Sequence, residues 1–179
     1  MLGIDVSVWQ RDIDFKAVRD AGCEFVMMRI GFSHQGVLKT DKKFHQNLEG
    51  FKEVGIPVGI YLFCYDNSEE YLLSSLDQLF EELGDTKLEL PIAFDWENFG
   101  NYQEYEISFR QLDHLYEVFA EEVEKRGYEP ILYGSVYYLN RVWSKNEDRP
   151  LWMAQYATEA TFQRPYVIWQ MSEDGELEE

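Results

Sequence analysis

The feature that most restricts the fold is a repeated pairing of a short apolar run with a longer amphipathic one. Runs dense in Val, Ile, Leu, Phe or Tyr occur at residues 2–6, 25–30, 57–64, 91–96, 130–133, 151–156 and 167–171. Such runs read as strands, most of them buried on both faces. Helical stripes lie between the earlier ones: Phe44, Leu48 and Phe51, then Leu72, Leu76, Leu79 and Leu83, then Leu112, Leu115, Phe119 and Val123. Gly22, Gly55 and Gly127 each stand shortly before a strand, where a left-handed residue ends a helix at little steric cost. Repeated strand–helix units imply parallel strands joined by right-handed crossovers. The interval between residues 156 and 167 hardly leaves room for a crossover helix. The pattern predicts an α/β fold: an irregular TIM-like β/α barrel with about five strand–helix units and short closing strands.

A chain of 179 residues suits one domain with one core, and a single domain over residues 1–179 is expected. The net charge of −18 argues against nucleic acid, whose phosphates require Lys and Arg, and against anionic membrane surfaces. No apolar run has the length of a transmembrane helix, so no membrane insertion is expected. The N-terminal MLGIDVSVWQ lacks the regions of a signal peptide, and export is expected to depend on something outside this chain. Cys23 and Cys64 would sit at opposite ends of a parallel sheet, which disfavours a disulfide. His34, His45 and His114 show no metal-ligand spacing; no metal and no cofactor are expected. A monomer is expected.

The sharpest chemical signal is Phe94-Asp95-Trp96-Glu97-Asn98, at the C-terminal end of a strand. Residues two apart on a strand share a face, so Asp95 and Glu97 would both point into the barrel mouth. That mouth is where β/α barrels build their sites. Two carboxylates there suit glycoside hydrolysis, in which one donates a proton and the other supports a cationic transition state. Their closeness should separate their pKa values and leave one protonated near neutral pH. The competing structural role for such a pair is a helix cap or a salt bridge. Asp5, in GIDVSVWQ, is a third acid at a strand end, with capping of the next turn as its structural alternative. Aromatic residues make up 16% of the chain, more than a minimal core requires, and sugar faces pack on flat rings. Tyr61, Tyr133, Trp152, Gln155 and Trp169 are the candidate glycan contacts, several of them at strand ends.

The ordered series GIDVSVWQ, AGCEFVMMRIGFS, DKKFHQNLEGFKEVGIPVGIYLF, PIAFDWEN, GYEPILYGS, LWMAQY and IWQ resembles the glycoside hydrolase family 25 lysozymes over essentially the whole chain. The resemblance implies an irregular β/α barrel and cleavage of the β-1,4 bond from N-acetylmuramic acid to N-acetylglucosamine in peptidoglycan. Carried over by position, Glu97 is the general acid, Asp95 the second carboxylate, Asp5 a site acid and Tyr61 an active-site tyrosine. The family route is discussed as retention assisted by the substrate's acetamido group, with Asp95 orienting that group. The implied partner is bacterial cell-wall peptidoglycan, met at the wall or outside the cell, by a secreted enzyme or a bacteriophage lysis enzyme. One departure stands out. Family members continue past the WQ strand into a last strand with a motif like VDLN. Here Gly175-Glu176-Leu177-Glu178-Glu179 follows, and that strand is expected to be missing. The alternative function is a glycan-binding module that does not cut.

Overall fold

The computed structural model describes residues 1–143 and 149–174, so the segment 175–179, on which the expected absence of a last strand rests, lies outside the described residues. Eight strands are present among the described residues: β1 Gly3–Val6, β2 Phe25–His34, β3 Val37–Thr40, β4 Val58–Cys64, β5 Ile92–Asp95, β6 Pro130–Ser135, β7 Leu151–Ala154 and β8 Ile168–Gln170. Seven of them form one parallel path in the order β1-β2-β4-β5-β6-β7-β8, and β3 pairs antiparallel with β2 outside that path. The helices are α1 Phe15–Asp20, α2 Phe44–Glu53, α3 Glu69–Leu83, α4 Phe109–Lys125 and the single turn α5 Val136–Leu139. The architecture is therefore the expected strand–helix alternation. It weakens where expected: α5 is one turn, and no helix joins β7 to β8.

The helices begin and end where local chemistry says they should. Asp14, Ser68 and Ser108 accept hydrogen bonds from the first turns of α1, α3 and α4, and Ser108 forms a reciprocal capping box with Gln111. Gly22, Gly55 and Gly127 take φ of +87°, +76° and +84° after α1, α2 and α4. Each accommodates a left-handed turn that a side chain would strain.

Alternation along the strands divides the apolar residues into two clusters. The larger lies between sheet and helices. It takes Ile60 and Leu62 from β4, Ile92 and Phe94 from β5, Leu132 from β6 and Met153 from β7, packed on the leucine stripes of α3 and α4. The smaller lies on the concave face: Met27, Ala93, Ile131, Tyr133, Trp152 and Ala154, flanked by Phe25, Tyr61, Leu90 and Ile168. The Tyr61 and Trp152 rings meet edge-on at 5.8 Å although two strands separate β4 from β7, which shows how strongly the sheet curls.

The sheet remains open between β8 and β1 among the described residues, a half-barrel whose edges are joined by one side-chain bond. Gln170 Nε2 of β8 donates to Asp5 Oδ2 of β1 at 3.0 Å. The strand missing from the sequence reading is β3. It arises because β2 runs on to His34 and turns back through Gln35 (φ 50°) and Gly36 (φ 78°). Two consecutive left-handed residues make the two-residue hairpin turn whose twist matches the strands.

Phe119 of α4 is fully buried, 5.2 Å ring-to-ring from Phe94. Phe119→Ala is expected to cost about 3–5 kcal/mol, and Ser108→Ala about 1 kcal/mol. Urea unfolding checks both; similar costs for the two would mean that α4 is not held chiefly by its apolar face.

Candidate active site

The concave face becomes polar toward the C-terminal ends of the strands. On β5, Ile92 and Phe94 belong to the helix-facing cluster and Ala93 to the concave one, so the next residue, Asp95, turns inward. Asp95 is 4% exposed, and its Oδ1 has no hydrogen-bond partner. Trp96 turns back into the outer cluster against Phe99 (4.8 Å) and Tyr65 (5.9 Å). That placement returns Glu97 to the mouth, where it is exposed and within hydrogen-bonding reach of the Asp95 carboxyl.

Asp5 sits on β1 among the inward positions, held by Gln170. The same amide accepts the Tyr133 hydroxyl at 2.8 Å, so Gln170 ties β6, β8 and β1 together around the acids. Tyr61 lies on β4, two strands from β1, opposite Arg29 in the β2–β4 register. Arg29 points to the same face and pairs with the buried Asp41 at 2.7 Å. Asp41 also accepts the Val8 and Lys43 amides, at 3.0 and 2.9 Å, which fixes the β1 and β3 loops beside the site.

The structure brings together Asp5, Tyr61, Asp95, Glu97 and Tyr133. Trp152 lies deeper, 3% exposed, with its ring against Tyr133 (4.9 Å) and Tyr61; it forms the floor. Two other candidates are used elsewhere. Gln155 staples the β7–β8 loop through Thr161, donating to its Oγ1 at 2.6 Å and accepting its amide at 2.9 Å. Trp169 packs against the helix-side cluster and donates its indole N–H to the Gln155 carbonyl at 2.8 Å. On β8 the residue that reaches the acids is its neighbour Gln170. Sequence reasoning also passed over Arg29. Its signal was a lone cation in the apolar run Met27-Met28-Arg29-Ile30, where an inward charge needs a partner or a site.

Burial dominates the electrostatics. It raises the Asp95 carboxyl well above its ordinary pKa, and the adjacent Glu97 and Asp5 raise it further against a smaller opposing pull from Arg29. Partial desolvation of its carboxyl by the surrounding groups also raises Glu97, with Asp5 adding to the rise and the bond to Asp95 opposing it. Asp5 is raised by burial, partly offset by Gln170. Three acids around one cation cannot all ionise cheaply, so the Asp95–Glu97 pair retains a shared proton above the normal carboxylate range. Loss of water likewise pushes the Tyr61 and Tyr133 phenols up, leaving neutral donors around the pair. Among the described residues, no group of three or more His, Cys, Asp or Glu is placed to hold a metal ion.

The fold has known counterparts. The model of the family "Glycosyl hydrolases family 25" matches residues 4–179, and the chain belongs to that family. It is 26% identical over 180 residues to an autolytic lysozyme of Clostridium acetobutylicum, covering 99% of this chain and 52% of the relative. The chain thus spans about half the length of that protein. Among solved structures, a family 25 glycosyl hydrolase from Bacillus anthracis superposes with a TM-score of 0.83 at 22% identity, covering 99% of this chain and 81% of the other. The modular autolysin LytC of Streptococcus pneumoniae, in complex with a synthetic peptidoglycan ligand, matches with a TM-score of 0.82 at 22% identity. It covers 97% of this chain and 43% of the other. These two likenesses establish the fold.

The raised acids have a cost that can be measured. Between the unfolded and folded pKa of Asp95 the folded state binds more protons than the unfolded one. Stability therefore falls as pH rises through that window. Asp95→Asn removes the penalty. It is expected to melt higher than wild type at pH 7, by roughly 2–4 °C, and to converge with it below about pH 4. Calorimetry across that range checks the sign; a lower melting temperature at pH 7 would contradict it.

Proposed function

We propose that this chain is a muramidase domain that hydrolyses the β-1,4 bond between N-acetylmuramic acid and N-acetylglucosamine in peptidoglycan, with Glu97 as general acid. Residues 1–179 act as one catalytic domain, working as a monomer on the bacterial wall. The observation that carries the reading is the Asp95–Glu97 carboxyl pair, in contact at the strand ends and surrounded by Asp5, Tyr61 and Tyr133.

The two acids differ in a way that assigns their roles. Asp95 is buried, and one of its oxygens lacks a donor. The N–H of a substrate acetamido group is a suitable donor. Accepting it would hold the acetamido carbonyl oxygen toward the anomeric carbon, and the anionic form of Asp95 would stabilise the positive charge that develops. Glu97 is exposed at the rim, where a glycosidic oxygen can reach it. In the free protein the pair shares one proton, since both carboxyls are raised. Substrate binding directs that proton: the acetamido N–H stabilises ionised Asp95, and the covering sugar strips water from Glu97. The proton then resides on Glu97. From there it passes to the leaving oxygen as the glycosidic bond breaks, and water returns a proton to Glu97 when it attacks the anomeric carbon.

Glu97→Gln is expected to lower wall hydrolysis by about a hundred- to ten-thousandfold without loss of fold. Asp95→Asn is expected to be similarly damaging, and Asp5→Asn less so. Turbidity clearing with analysis of the new reducing ends checks these. Muramic acid at the new ends supports the bond assignment, and near-wild-type rates for folded Glu97→Gln would sink it. Binding of glycan without cleavage by the wild-type protein would favour a non-catalytic module.

The pH profile carries a separate expectation. The Asp5 charge raises the Glu97 pKa, so Asp5→Asn should move the alkaline limb of kcat/KM to lower pH. A limb that stays in place, or moves up, would remove Asp5 from the tuning of the acid.

A further inference from the structure

The net charge of −18 makes one surface conspicuous, because its side chains are largely cationic and aromatic. An open cavity of about 720 Å³ lies against β2, the β3 strand and the turn after β1. That volume is in the range of about 300–1,000 Å³ typical of pockets that take small organic ligands. Arg11, Lys39 and Lys42 line it, all exposed and none in an ion pair among the described residues. Trp9 and Phe32 line it too, 77% and 36% exposed. An indole so far out of the core on a monomer face marks a surface suited to contact.

Two further observations tie this cavity to a ligand and to the acids. Arg11 adopts φ 59°, ψ −129°, a costly backbone for any residue with a side chain, and it does so at the edge of the cavity. Such strain persists where surrounding structure enforces it and is common at binding sites. The inner wall is Phe63 and Tyr65. Phe63 stands opposite Asp95 in the β4–β5 register, and the Tyr65 ring is 5.9 Å from that of Trp96. A glycan bound over the carboxylate pair would thus hold its substituents beside the cavity.

We propose that this cavity binds the acidic stem peptide that muramic acid carries on its lactyl group, an inference that rests on peptidoglycan being the substrate. The peptide offers free carboxylates to Arg11, Lys39 and Lys42, and its small apolar side chains cover Trp9 and Phe32. A phosphate polymer such as wall teichoic acid would satisfy the cations and leave the exposed rings uncovered, so the mixed lining favours the peptide.

The test uses the full chain and a triple variant, Arg11→Ser, Lys39→Glu, Lys42→Glu. Both are assayed on glycan strands that carry stem peptides and on strands stripped of them by an amidase. The ratio of kcat/KM on peptide-bearing to stripped strands is expected to fall about tenfold in the triple variant, and the wild-type ratio to shrink as salt rises. An unchanged ratio, with an active wild type, would overturn the cavity assignment and leave the hydrolase reading intact. Hydrolysis of neither strand by wild type would instead defeat the hydrolase reading. Calorimetry with the free stem peptide then decides the cavity: binding that weakens in the triple variant supports it, and absent or unaltered binding overturns it. Tighter binding of poly(glycerol phosphate) than of the peptide would also overturn it.

Discussion

The packing of Phe94 is the contact on which the arrangement at the sheet mouth depends. Its ring lies within 5.2 Å of Phe119, 5.8 Å of Tyr116 and 6.1 Å of Trp143, all fully buried. With α4 pressed on β5 at that point, the next residue can only turn to the concave face. Trp96 locks the following step by packing outward on Phe99 and Tyr65. The carboxyls of Asp95 and Glu97 therefore meet because the apolar residues on either side of Asp95 are anchored on the helix side. The site is aimed by the core.

That aiming costs stability, and the cost is useful. A carboxyl as buried as Asp95, beside a second acid and near a third, retains a proton that an exposed carboxyl would lose. Arg29 offsets part of the charge but is itself committed to Asp41. The remaining imbalance keeps an acid available at the mouth. Gln170 serves the same arrangement from the other edge of the sheet. One amide accepts from Tyr133 and donates to Asp5, so the two ends of the open half-barrel are held by the group that also steadies a site acid.

Much of this was legible in the sequence because the physics is local. The leucine stripes, the glycine helix exits and the weakening after residue 156 each follow from spacing alone, and each appears in the fold. The two-residue period of a strand anticipates the meeting of Asp95 with Glu97, although β5 ends at Asp95 and it is the outward packing of Trp96 that returns Glu97 to the mouth. What escaped was set by partners distant in sequence. The β3 hairpin depends on a turn at Gln35-Gly36, a weaker signal than Asn-Gly. Trp169 and Gln170 are adjacent, and only the register with β7 decides which one faces inward: Gln170 pairs with Ala154, a concave-face residue. Gln155 looked like a strand-end contact, but β7 ends at Ala154 and frees it to staple the loop. Arg29 was hidden inside the apolar run Phe25-Val26-Met27-Met28-Arg29-Ile30 of β2.

Asp95 and Glu97 hold one proton between them because burial and mutual repulsion forbid both charges. Carboxyl carbon NMR of the free protein, with signals assigned by Asp95→Asn and Glu97→Gln, measures it directly. Two separated titration steps shared by both signals are expected, the upper one well above the ordinary carboxylate range. Removing Glu97 should also lower the midpoint of Asp95, since the glutamate charge is one of the causes raising it. Two independent midpoints near the ordinary value of about 4, each indifferent to loss of the other group, would contradict a shared proton.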